Sequence, residues 1–349
     1  MAKPLRVAVV SPEREVWSGR AEMVIAKGTD GDVGILADHA PMLIELSIHA
    51  LSQGLVALLR KRYRAEVEIR PADAMKGRSR RYDQHARRLE ISEMLPAASR
   101  VFQIAHQIAY LGHHDVLDGI AAAAGLTAPD AEALARAALA NYFAGAVMMP
   151  YAVFAEAAKA TRYDIDILKN RFGVSFEQVC HRLTTLRRPG AEGIPFHFIR
   201  VDIAGNISKR FSASGIHIAR FGAACPRWNV YDAFSTPGML RVQLSRMPDG
   251  ATYFCVARTT GRTTALSPVS GLPHRIGQRA IGLGCDVRHA SGIVYADGLN
   301  LADPQLATPI GVSCRTCPRT DCAERAMPSL FQKLHIDENV RGPSTYVQA

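Results

Sequence analysis

Residues 195–212, PFHFIRVDIAGNISKRFS, mark the place where the chain changes its period. From here to about Ala257 the runs PFHFIRVD, KRFSAS, IHIARFG, RVQLSRMPDG and TYFCVART are short, rich in β-branched and aromatic residues, and separated by turn signals. They read as antiparallel strands with turns at AGN and PDG. Upstream lies a helical region and downstream a cysteine-rich end, so the class expected is α+β. Polar residues at the strand turns, Asn206, Ser208, Lys209 and Arg210, together with Arg220 and the Cys225-Pro-Arg-Trp228 knuckle, are candidates to line a ligand pocket. Lys209, Arg210 and Arg220 would offer cations to phosphates. Each of these residues also has a plain reading as a turn residue or a core tryptophan.

Working toward the N-terminus, residues 175–190 open with Ser175 as a helix N-cap and end at Arg187-Arg188-Pro189-Gly190, which breaks the helix. With YDIDILKNRFG before it, the segment forms a helix pair that could pass for a helix-turn-helix. Glu177, Gln178, His181 and Arg182 are a modest set for reading base edges, and a packing pair is the stronger reading. Further back come a helix in HALSQGLVALLRKRY, strands in AEVEIR and RYDQHARRLEISE, a long helix in PAASRVFQIAHQIAYLGHH, then the stretch AAAAGLTAPDAEALARAALANYFAGAVMMPY and a helix in YAVFAEAAKATRY. The first 43 residues alternate like strands.

Working toward the C-terminus, Cys285 stands in GLGCDVRHA, and Cys314, Cys317 and Cys322 in SCRTCPRTDCAERAMP. A C-x2-C-x4-C run plus one distant cysteine can close a four-thiolate site, which suits an iron–sulfur cluster or Zn(II). One knuckle with a third cysteine close behind and a lone fourth favours the cluster, of 4Fe-4S type, over zinc and over free thiols or a redox disulfide. Interleaved Arg315, Arg319 and Arg325 could balance its negative charge. Cys180, Cys225 and Cys255 sit in apolar stretches and read as core residues.

The chain has 349 residues, 48% hydrophobic and 21% charged, with a formal net charge of +10. This is material for two or three packed domains. The basicity is concentrated: Arg60 to Leu89 holds eleven Lys or Arg against Glu66, Glu68, Asp73 and Asp83. Such a stripe could meet nucleic acid or phosphates. No window approaches eighteen uninterrupted apolar residues and no signal peptide opens the chain, so the expectation is a cytoplasmic protein without membrane insertion.

Three resemblances add to this reading. LRVAVVSPEREVWSGRAEMVIAKGTDGDVGILADHAPMLIEL resembles the opening half of the ATP synthase epsilon subunit, which implies a β-sandwich segment and, through residues 1–43, a contact with the ATP synthase rotor. The order of elements that follows resembles the zincin-like domain of IrrE or ImmA type peptidases. In an active member the helix would read His-Glu-x-x-His, two imidazoles one turn apart with a carboxylate base beside them. Here it reads His106, Gln107, Ile108, Ala109, Tyr110, and Ala137 stands where a third ligand would, so no peptidase and no other enzyme is expected. From about residue 47 to 334 the chain resembles the bacterial short-chain fatty acyl-CoA transcriptional regulators. The carrying residues include RVFQIAHQIA, ANYFAGAVMMPY, PFHFIRVDIAGNISKRFSA, FGAACPRWNV, IGLGCDVRHA and PIGVSCRTCPRTDCAERAMP. That resemblance implies a body that senses short acyl-CoA esters, carries the four cysteines as cluster ligands and controls propionate and related acyl metabolism; a homodimer is expected because regulators often are dimeric. The family opens with a helix-turn-helix where this chain has the epsilon-like segment, which puts DNA binding by this chain in doubt. The boundaries expected are 1–44 for the epsilon-like segment, 45–189 for the zincin-like helical domain, 190–334 for the sensor domain and 335–349 for a flexible tail.

Overall fold

In the computed structural model two hairpins come first, β1 (Leu5–Val10) with β2 (Glu15–Ala21) and β3 (Met23–Gly28) with β4 (Gly31–Leu36), both antiparallel. The structure describes these four strands by their backbone, then residues 48–220, 222, 224–261 and 277–331 in full. It also describes a few residues beyond 331 and the backbones of 265–266 and 273–274. The expected tail, apart from those few residues, lies outside the described residues. The chain divides into two compact units, residues 1–154 with 169–175, and residues 155–168 with 176–349.

In the first unit, α1 (Ile48–Tyr63) leads into β5 (Glu66–Arg70), the short α2 (Ala72–Met75), β6 (Arg80–Asp83) and β7 (Arg88–Ser92). The strands make a three-stranded sheet of order β5-β7-β6, β5 parallel and β6 antiparallel to β7. Three helices follow, α3 (Ala97–Gly112), α4 (His114–Ala123) and α5 (Pro129–Met148). Apolar residues at helical spacing give α3 and α4 one side to bury, whereas α5 is apolar nearly all round and buries Ala140, Ala144 and Met148. Leu59 of α1, Leu89 and Ile91 of β7, and Ile104 and Ile108 of α3 close one core, and Ala109, Leu117 and Ala140 close a smaller one. Four cations of the basic stripe are paired off here: Arg60 holds Glu66, Arg70 and Arg88 hold Glu68, and Arg81 holds Glu90.

Next in the chain come α6 (Tyr151–Ala160), α7 (Ile165–Arg171) and α8 (Phe176–Leu183), the last starting directly after Ser175. The second unit is then built on a sheet of β8 (His197–Asp202), β9 (Ile207–Ser212), β10 (Arg241–Arg246), β11 (Thr252–Thr260), β14 (Arg279–Asp286) and β15 (Ala307–Pro309). Its order is β15-β10-β11-β14-β8-β9, with the β10–β15 pair parallel and the others antiparallel. A short helix, α9 (Asn229–Asp232), precedes β10, and β12 (Ala265–Leu266) and β13 (Pro273–His274) form a small hairpin. Both turns expected from sequence form: Asp202 caps the β8–β9 turn and Asp249 the β10–β11 turn, with Gly205 and Gly250 at positive φ. IHIARFG is not a strand. Residues 216–220 are irregular, and Arg210 of β9 donates to the carbonyls of Ala219 and Arg220. A strand there would need those carbonyls for its ladder.

Side chains alternate across this sheet. One face carries His197, Ile199 and Val201 of β8, Tyr253, Cys255 and Ala257 of β11, and Ala280 of β14. It is covered by Ala224, Cys225, Trp228, Val230, Met247 and Ile310. On the other face Phe198 meets His181 of α8, Arg200 pairs with Glu177, and Arg258 pairs with Asp166 across the Phe176 ring.

Candidate functional site

The four expected thiolates do not come together. Cys285 is fully buried on β14, directly opposite Phe254, on the face that carries Phe198 and Leu283. Cys317 packs instead against Gly311, beside the Ile310 and Cys225 that cover the opposite face. Burial pushes the Cys285 thiol well above the ordinary thiol range, the neighbouring Cys255 adding to it. Register is the reason: Cys285 and Cys255 lie one step out of phase on paired strands, so one faces each way. Among the described residues no three His, Cys, Asp or Glu side chains stand close enough to hold a metal ion.

Cys225, read from sequence as a core residue, is the thiol that approaches the cysteine run. It lies within electrostatic range of Cys314 and Cys317. Burial raises its pKa, and the backbone N–H groups of Gly311 and Arg227 donate to its sulfur and oppose that rise. Gly311 also makes room for the next thiol, because a Cβ there would stand 2.8 Å from the Cys317 Sγ. Arg325 is 5% exposed and donates from Nη1 to the Cys314 carbonyl at 2.9 Å, from Nη2 to the Cys317 carbonyl at 3.2 Å, and to the Arg319 carbonyl. Arg319 donates to Ile310 and Arg246 carbonyls. The loop is thus wound around two guanidiniums, and neither has a carboxylate partner among the described residues. Amide donors to sulfur, a glycine cradle and cations without carboxylate partners surround Cys225, Cys314 and Cys317, which is the donor chemistry a thiolate-ligated group needs, although the sulfurs are not drawn together as a metal site.

The candidate ligand residues do not share one pocket. Trp228 is 3% exposed, in the core, with its indole donating to the Cys255 sulfur. Asn206 is bound to Asp202 in the β8–β9 turn, and Ser208 to Arg200. Lys209 lies 3.4 Å from Glu177, whereas Arg210, next in the strand, points to the other face and clamps residues 219–220. Arg220 is exposed. A buried cluster that sequence reasoning missed lies beneath them. His197, 1% exposed, has Nδ1 at 2.9 Å from Ser214 Oγ and Nε2 at 3.6 Å from Cys255 Sγ, with its pKa lowered by burial to about 3. Its position in an apolar alternation gave no signal of that role.

In the first unit the ring of His106 bonds the carbonyl of Ala137, so α3 and α5 bring together the two positions that a zincin would use for ligands. Tyr110 packs edge-on to His106 at 5.0 Å.

This geometry accompanies a sequence match that covers most of the chain. A solved structure titled Mycobacterium tuberculosis transcriptional regulator superposes with a TM-score of 0.77 at 44% identity, covering 85% of this chain and 88% of that one. Residues 185–346 match the family model "Short-chain fatty acyl coenzyme A regulator, C-terminal". The chain belongs to the short-chain fatty acyl coenzyme A regulator family. Residues 60–184 match the IrrE N-terminal-like domain, and residues 4–53 the β-sandwich domain of the ATP synthase delta/epsilon chain. Among curated members, the HTH-type transcriptional regulator PrpR of Mycobacterium tuberculosis is 46% identical over 271 residues, 76% of this chain and 54% of that protein. The propionyl-CoA carboxylase regulator of Cereibacter sphaeroides is 44% identical over 283 residues, 81% of this chain and 59% of that protein. The chain therefore spans a little over half the length of these curated relatives. They are named as regulators rather than as enzymes. Among the described residues no single helix is long and apolar enough to cross a membrane.

Proposed function

We propose that this chain is the effector-sensing body of a bacterial transcriptional regulator of short-chain fatty acid and propionate metabolism, responsive to a short acyl-CoA and carrying an iron–sulfur cluster. The observation that carries it is the 44% identity, over 85% of the chain, with a solved regulator. The printed name of the Cereibacter relative, a propionyl-CoA carboxylase regulator, supports the metabolite class. The protein works in the cytoplasm as a homodimer, and its contact with DNA is part of the same proposal.

Cys314, Cys317 and Cys322 would hold the cluster, with Cys225 in place of Cys285 as fourth ligand. When bound, the cluster supplies a centre sensitive to redox state and oxygen. The chain's own part is to tie the 311–325 loop onto the sheet, with Arg319 and Arg325 offsetting thiolate charge. The proposal is tested by titrating the intact protein with acetyl-, propionyl- and butyryl-CoA in a calorimeter, and by gel shift with and without the ligand. Binding of one of these, and not of the free fatty acid, is the expected result. No binding of any of the three removes the sensor reading. Stoichiometric zinc without acid-labile sulfide in anaerobically purified protein replaces the cluster by zinc.

A further inference from the structure

Separate from the cysteine loop, the first unit contains a cleft of about 700 Å³ between the C-terminal end of α1, the β6–β7 hairpin and α3. Its lining combines Arg62 and Arg87 with the rings of Tyr63, Tyr82 and Tyr110 and the amide of Gln107. That volume is the size of an ordinary small-molecule site.

The charges around it are unbalanced in one direction. Of the carboxylates of this sheet, Glu66, Glu68 and Glu90 are taken by Arg60, Arg70, Arg81 and Arg88, and Asp83 accepts from the backbone N–H groups of His85 and Ala86 in the β6–β7 turn. Arg62, Arg80 and Arg87 have no carboxylate partner among the described residues. Arg80 is half-buried: its Nη1 donates to Gln107 Oε1 at 2.5 Å and its guanidinium carbon stands 5.9 Å from the Tyr110 ring centre. Burial lowers its pKa, and its charge helps to lower that of His106. His106, 6% exposed, keeps an Nδ1 with no hydrogen-bond partner. A half-buried cation with a single neutral acceptor is costly unless an anion completes it. The guanidinium also lies beside His106, Gln107 and Tyr110, so positive charge persists at the helix where a zincin would hold its ion.

We propose that this cleft binds a planar aromatic anion, its ring packed among Tyr63, Tyr82 and Tyr110 and its acidic group met by Arg62 and Arg87. Arginine pairs with both carboxylate and phosphate in a forked geometry, and tyrosine faces accept planar rings. The acidic group therefore comes either from a phosphate, as in a nucleotide, or from an aromatic carboxylate. Arg80 acts as a positioning residue, fixing Gln107 and adding to the potential.

The test is calorimetric titration of the full chain with AMP, 4-hydroxybenzoate, adenosine, inorganic phosphate and acetate. Expected is binding of AMP or 4-hydroxybenzoate, whichever binds naming the source of the acidic group. The ring without charge and the anions without a ring should bind at least about tenfold more weakly. Arg62→Gln with Arg87→Gln, both at exposed positions, should weaken binding by about tenfold per arginine removed, while the thermal melt stays unchanged. Arg80→Gln is the second variant and should weaken binding without removing either rim contact. Failure of both aromatic anions to bind, or affinity indifferent to the double variant, overturns the site. Phosphate or acetate binding as tightly as the aromatic anions overturns the ring's part in it.

Discussion

His197 shows how burial sets chemistry at a single residue. Enclosed by Trp228 and Tyr253 and bonded to Ser214, it has a folded pKa of about 3. Unfolded, it titrates near 6.5. His106, at about 4, behaves alike. In both the folded pKa is depressed, so the unfolded chain binds more protons as pH falls below about 6.5. Their contribution to stability is full above that pH and drains away as pH drops toward 4, at about 1.4 kcal/mol per pH unit for each histidine. Thermal melts should therefore fall between pH 7 and pH 5, and His197→Gln should flatten the slope even if it lowers the plateau. A slope unchanged by that substitution would show that other groups set it. The cysteines divide by the same logic of position. Cys225→Ala and Cys314→Ala should each abolish bound iron and the brown colour of anaerobic protein, whereas Cys285→Ala should keep both and lose only core packing, on the order of 1 kcal/mol. Iron retained in Cys225→Ala and lost in Cys285→Ala would restore the ligand set expected from sequence.

At the scale of elements, β14 is the strand on which the second unit depends, because it joins β11 to β8 in the middle of the sheet. Gly284 lets His197 fit there: a Cβ would stand 2.6 Å from the imidazole and 2.6 Å from the Phe254 carbonyl. Gly284→Ala should cost about 1–3 kcal/mol through overpacking, measured by denaturant unfolding. Gly54→Ala, inside α1 with nothing within 4 Å, should stabilise by about 0.5–1 kcal/mol instead. These contrasts explain what sequence could show. β5, β6, β7, β8, β9, β10 and β11 were legible as short β-rich runs, and α1, α3 and α6 as helical runs. IHIARFG alternates as well as any of them, yet a side-chain clamp from Arg210 claims its carbonyls. β14 was hidden because RAIGLGCD, buried on both faces, neither alternates nor avoids glycine. The candidate site was legible only in part: spacing singled out the run Cys314, Cys317 and Cys322, whereas the approach of Cys225 to Cys314 and Cys317 depends on strand register and loop return, which no local pattern encodes.

The molecule divides into two compact units, each with buried clusters of its own, and this gives a ligand a place to be detected. Each unit should unfold in its own transition in scanning calorimetry of the intact chain. A ligand that binds only the folded form stabilises by about 2.7 kcal/mol when its free concentration is about 100 times Kd. For a unit of 150–250 residues this is roughly 5 to 10 °C. A short acyl-CoA should raise only the transition of the second unit, which contains the stretch matched by the acyl-CoA regulator model. A planar aromatic anion should raise only that of the first. Within the second unit Lys209 and Arg210 are separable, since Lys209 makes one surface ion pair with Glu177, 40% exposed on the lysine side, whereas Arg210 holds two loop carbonyls. Exposed pairs of that kind contribute about 0–1 kcal/mol. Lys209→Ala should therefore leave the ligand-free melt nearly unchanged, while Arg210→Ala lowers it by freeing residues 216–220. If the CoA phosphates use Lys209, its removal lowers affinity and the salt dependence together without moving the ligand-free melt. An acyl-CoA shift equal in both variants to that of the unsubstituted chain would put the phosphate contact elsewhere on the unit.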